Sequence, residues 1–196
     1  YPNKPWQAWT QGQDEDNRYW VPLYDFPNDR TTWETLLTVK APLTAVSNGV
    51  LVGVTDAGDG WRTFHHRMDQ PNSTYLIAFA VGAWERYADT WREKPVEYFV
   101  APGVSEETAR RSFGVTPEIL EFFSNQTGVE YPWPKYAQVA VAQFVVGGME
   151  NVSCTLQTDR TLHDAAAALE TSSQGLVAHE AAHQWFGDLV TCRTWK

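Results

Sequence analysis

The sequence predicts an α+β protein, with an all-β part over residues 1–100 and a mixed α/β part over 101–196. Three observations predict it. The first hundred residues alternate apolar and polar side chains between turn signals. The second part carries helix caps and helical spacing. The character changes at Ala101-Pro102-Gly103.

Trp33, Thr35, Leu37 and Val39 alternate with Glu34, Thr38 and Lys40, with Leu36 interrupting the polar face. That is strand periodicity. Asn48-Gly49, set between Ala45-Val46 and Val50-Leu51-Val52, predicts a tight hairpin. Asp56 to Gly60 predicts a plain turn; it resembles the start of a calcium loop but lacks the later ligands. Further strands are expected at 61–68, 75–81 and 96–100.

Beyond the boundary, Ser105 is placed to cap a helix with Glu106 and Glu107 in its first turn. Thr116-Pro117-Glu118 predicts a second start, with Thr116 as the capping hydroxyl, and Gly128 predicts the stop. Tyr131-Pro132-Trp133-Pro134 reads as a rigid loop. Strands are expected at 136–146 and 152–158, and helices at 165–169 and 172–186, the last ended by Gly187.

The chain has 196 residues, 43% hydrophobic and 20% charged, enough to bury a sizeable core. Its ten tryptophans read first as a large β-rich core, although grooves that grip peptides also use aromatics. The net charge of -9, with no run of Lys or Arg, argues against nucleic acid as a partner. No apolar stretch approaches the roughly 18 residues of a membrane span. The opening at Tyr1-Pro2-Asn3 carries no Met and no signal peptide and reads as a mid-stream start, so the compartment stays open. Cys154 and Cys192 make no disulfide framework and fit no zinc knuckle. The Asn-x-Ser/Thr triplets at Asn72, Asn125 and Asn151 read as chance.

The strongest chemical signal is His179-Glu180-Ala181-Ala182-His183. Residues four apart on a helix share one face. Two imidazoles there can hold one zinc ion, with Glu180 beside them as the base that takes a proton from metal-activated water. A catalytic zinc has three protein ligands. His65, His66 and His163 show no ligand spacing and read as surface or core histidines.

Gly147-Gly148-Met149-Glu150-Asn151, then His179 to His183, then Trp185-Phe186-Gly187 and Leu189-Val190-Thr191, together resemble the gluzincin aminopeptidases, the family of aminopeptidase N and the leukotriene hydrolase. Gln11-Gly12-Gln13, Arg18-Tyr19-Trp20, Tyr24 to Asn28 and Val46 to Gly49 resemble the same family's β domain, in the family's order. The resemblance implies part of a saddle-like β domain followed by the first half of a thermolysin-like catalytic domain. It implies His179 and His183 as zinc ligands and Glu180 as the catalytic base. It assigns Glu150, with Gln13 as a second position, to the free α-amine of a peptide substrate, and Gly147, Gly148 and Met149 to a segment along the substrate backbone that lines its first side-chain pocket. Glycines let two backbones approach closely, and a carboxylate at the closed end of a groove selects chain ends.

The sequence departs from the family at two places. Gly148 stands where many members have Ala, although the leukotriene hydrolase branch also has Gly; Asp188 stands where Asn is common. The family's third zinc ligand, a Glu on the next helix, and its oxyanion tyrosine fall beyond Lys196. The remainder of the catalytic domain is therefore expected to complete the site, and the chain alone to hold zinc weakly and hydrolyse little. A thermolysin-type endopeptidase, a member with added epoxide hydrolysis and a catalytically inert scaffold are the rival readings.

Overall fold

The computed structural model describes residues 5–196, so the Tyr1-Pro2-Asn3 opening lies outside the described residues. The protein is α+β, as expected, and its described strands form three sheets. The first contains β1 (Gln7–Trp9), β3 (Thr44–Ser47) and β6 (Phe79–Gly82), with β6 central. The second contains β2 (Arg30–Lys40), β4 (Val50–Gly58) and β5 (Trp61–Ser73), with β5 central. The third is mixed and runs β10 (Gly148–Met149), β11 (Cys154–Thr158), β9 (Tyr136–Val141), β8 (Lys94–Val100), β7 (Glu85–Trp91). Its three central strands are parallel and its two edges antiparallel. The helices are α1 (Glu106–Phe113), α2 (Thr116–Thr127) and α3 (Gln174–His183).

The β2 alternation places Trp33, Thr35, Leu37 and Val39 on the more buried face. Leu36 points outward and is 64% exposed, which explains its break in the pattern. Asp59 and Gly60 both take positive φ and join β4 to β5, the geometry of a two-residue primed turn. Every residue of β9 is buried, as a central parallel strand covered on both faces requires. Ser105 caps α1 by accepting from the Thr108 amide at 3.2 Å, and Gly128 ends α2 in the left-handed conformation.

The structure differs from the expectations at the following places. Asn48-Gly49 makes no hairpin: β3 pairs with β6 while β4 pairs with β5, so the dipeptide is a corner between two sheets. Gly49 has φ +71°, and a Cβ there would lie 2.6 Å from the Arg67 carbonyl carbon. Asn48 is buried and its side chain donates to Leu76 O and Val152 O and accepts from the Ala78 amide. The turn signal was local; the pairing was decided by these distant partners. Second, the strands on the two sides of residue 100 share a sheet: β7 and β8 belong to the third sheet, and β8 pairs with β9.

Third, Val115 rather than Thr116 occupies the N-cap position of α2, which has no side-chain cap; the Thr116 hydroxyl donates back to Phe113 O and accepts from Gln138. Fourth, the strand expected at 75–81 begins as a 3-10 turn over Thr74–Leu76. Fifth, the strand expected at 136–146 ends at Val141, where Gln143 takes positive φ and turns the chain, and the helix expected at 165–169 is a 3-10 turn over Ala167–Leu169. One main core unites both parts: Val46, Met68 and Leu76 pack with Tyr98, Phe113, Tyr131 and Trp133. Several tryptophans nonetheless stay outside it, Trp6 and Trp61 among them.

Candidate metal centre and substrate edge

Helix α3 carries Val177 and Ala181 into the core, which turns His179 and His183 onto the open face. Their Nε2 atoms lie 3.1 Å apart. Two nitrogens each about 2.05 Å from one tetrahedral ion would sit roughly 3.3 Å apart. The His183 Nδ1–H donates to Phe186 O at 2.8 Å, which fixes the tautomer and leaves Nε2 bare towards its partner. The imidazole pair therefore fits one borderline-soft cation. Among the described residues no three His, Cys, Asp or Glu side chains converge on a common point.

Glu180 is only 3% exposed, and its Oε2 has no hydrogen-bond partner. Burial, reinforced by the Glu150 carboxylate, pushes its pKa up to about 8. A nearby positive charge would be needed for it to ionise readily at neutral pH. A Cβ on Gly148 would lie 2.6 Å from Glu180 Cδ, so Gly148 leaves room for this carboxylate.

Gly148 and Met149 form the short outer strand β10, which pairs with β11 on one side only. The other edge is unpaired among the described residues. Such an edge can accept an extended peptide as an added strand. Met149 points its side chain into the main core, while Gly147 faces Leu176 of α3. Glu150 follows directly and is buried. Its Oε1 accepts from the Tyr75 hydroxyl at 3.1 Å. Its carbonyl accepts from Gln184 Nε2 at 2.9 Å, one residue past His183.

The structure thus brings His179, Glu180, His183, Gly148 and Glu150 to one place. Gln13 is exposed in the loop after β1, and among the described residues no hydrogen bond ties it to Glu150. The loop nevertheless passes close to the Tyr75 backbone: a Cβ on Gly12 would lie 2.6 Å from Tyr75 O.

Sequence reasoning missed Tyr75 and Gln184. Tyr75 lay in a stretch read as strand, and nothing local marks it; burial and then Glu150 push its pKa upward, so it stays a donor. Asp188 is fully buried with neither oxygen partnered. Burial, then Glu150 and Glu180, hold its pKa well above the usual range, against the opposing pull of Arg30. Three carboxyls thus crowd one side of the helix end. His66 is buried in the second sheet, and His65 pairs with Glu34 there, so neither approaches the metal helix. The His163 amide is held by Ser112 near α1.

Residues 111–196 match the Peptidase family M1 domain, and residues 2–76 match the Peptidase M1 N-terminal domain. The chain is 34% identical over 196 residues to aminopeptidase 2 of Candida albicans, covering 97% of this chain and 21% of that protein. It is 32% identical to the puromycin-sensitive aminopeptidase of Caenorhabditis elegans and 31% to the glutamyl aminopeptidase of Rattus norvegicus, each over 96% of this chain and 20% of the relative. The chain spans about a fifth of the length of these relatives.

Proposed function

Because the chain belongs to peptidase family M1, we propose that it carries the substrate edge, the base and two of the metal ligands of a zinc-dependent aminopeptidase. The observation that carries this reading is the meeting of the His179–His183 pair with Glu150 and the unpaired β10 edge. A metal pair and base alone suit any hydrolase of this type. A buried carboxylate at the end of a strand edge adds a reason to act on chain ends.

His179 and His183 would hold zinc through Nε2, with a third ligand and the oxyanion-stabilising group contributed by another part of the protein. Bound zinc supplies Lewis acidity and a water of lowered pKa. The peptide lies along β10 as an added strand, its backbone close to Gly147 and Gly148. Its α-ammonium pairs with the Glu150 carboxylate, which Tyr75 orients from the 3-10 turn over Thr74–Leu76. Glu180 takes a proton at its carboxylate and later returns it to the leaving amine. Gln13 is the second amine-binding position.

The test uses the full-length protein that contains this chain, with aminoacyl-anilide substrates and their N-acetyl counterparts. Glu180→Gln should abolish turnover while zinc stays bound. Glu150→Ala should raise KM for the free-amine substrate selectively. Equal cleavage of N-acetyl and free-amine substrates, unaffected by Glu150→Ala, would replace this reading with an endopeptidase. The 196-residue chain by itself should lose zinc on dialysis, since two imidazoles make a weak site.

A further inference from the structure

We propose that the cavity where residues of all three sheets meet is a binding site for a small apolar carboxylate, separate from the metal pair. The cavity has a volume of about 450 Å³, within the usual range for ligand sites. Its lining shares no residue with α3 or β10. Val50, Leu51, Phe64, Trp84 and Phe99 supply apolar walls.

Two polar groups of its lining have unmet capacity. Lys135 is 6% exposed and lines the cavity. Its ammonium donates to Ser47 O at 2.9 Å. Among the described residues it has no carboxylate partner. His66 is 3% exposed; its Nε2–H donates to Ala45 O at 3.2 Å, and its Nδ1 has no partner. Arg86 and Glu97, which also line the cavity, pair with each other at 2.7 Å and so neutralise one another. Among the described residues that line the cavity, Lys135 is the cation without a carboxylate partner.

A buried ammonium is costly unless an opposite charge meets it. An anionic oxygen is a stronger acceptor for it than a neutral one. The walls then specify the remainder of the ligand: an apolar body rather than a second charge. A medium-chain monocarboxylate meets both demands, with its head at Lys135 and its tail among Leu51, Phe64 and Phe99.

Octanoate is the probe, titrated calorimetrically into the full-length protein that contains this chain, with 1-octanol and octylamine in parallel. Saturable one-to-one binding of octanoate is expected, with octanol at least roughly tenfold weaker and octylamine not binding. Lys135→Met keeps the stem and should weaken octanoate at least roughly tenfold while leaving octanol unchanged. Leu51→Trp starts from a half-exposed position, fills the cavity without touching Lys135, and should block both ligands. Octanoate and octanol binding equally well to the unaltered protein, octanoate affinity surviving Lys135→Met, or no saturable octanoate binding would each overturn the proposal.

Discussion

Gln184→Leu tests whether the metal helix and the substrate edge are held together by one buried side chain. Gln184 is fully buried. Its Nε2 donates to Glu150 O at 2.9 Å, and its Oε1 accepts from the Ser153 amide at 2.9 Å and from the Tyr131 hydroxyl at 3.4 Å. Leucine removes all three bonds at similar volume. Tyr131 keeps its bond to Lys135 O, so two buried groups are orphaned, the Ser153 amide and the Glu150 carbonyl. Each costs about 1–3 kcal/mol. The added apolar burial returns about 1 kcal/mol, which leaves a net loss of about 1–5 kcal/mol. For a domain of this size that is a fall in Tm of roughly 10 °C. Urea denaturation at constant m-value is the assay. A loss below about 0.5 kcal/mol would show that the helix end and the Glu150 segment are held by something other than this side chain. Gln184→Glu retains acceptors but loses the donor and opposes the Glu150 carbonyl, so it should cost at least as much.

Gly49→Ala should destabilise by about 2–4 kcal/mol, because a Cβ would collide with the Arg67 carbonyl in a backbone that already favours glycine; a neutral result in denaturant would refute the tight corner. Gly148→Ala should displace the Glu180 carboxylate, visible in a crystal structure of the variant; an unmoved Glu180 refutes the close approach. Burial, reinforced by Lys135, pushes the His66 imidazole down to about 4. The unfolded chain takes up that proton near pH 6.5, so between those values the unfolded state binds more protons. Stability from this group is present above pH 6.5 and is lost as pH falls towards 4, by at most about 3 kcal/mol. His66→Phe should flatten that part of the curve of urea midpoint against pH; an unchanged slope contradicts it.

Much of the site was legible because its elements are local. The spacing of His179 and His183 places both rings on one helix face whatever surrounds the helix. Ser105 and Gly128 bound their helices through contacts within a turn, and the alternation along β2 marks its buried face. The metal motif was therefore readable without a fold. What the sequence could not carry was the company these residues keep. Tyr75 reaches Glu150 across 75 positions, and Asn48 reaches Val152 across 104. Each bond satisfies a buried polar group, and no periodicity encodes it.

By itself the sequence determined the helix that sets His179, Glu180 and His183 together and most of the strand and helix segments around it, since those follow from backbone periodicity and caps over a few residues. The tertiary structure decided which sheet each strand joins. It turned Asn48-Gly49 from a hairpin into a corner and gave β7 and β8 to the third sheet. It also decided that Glu150 sits beside the histidines, and that Lys135 and His66 line an apolar cavity. The physical reason is the same in each case. Pairing partners and burial are set by which distant surfaces can be withdrawn from water together, and that depends on the whole chain rather than on neighbouring residues.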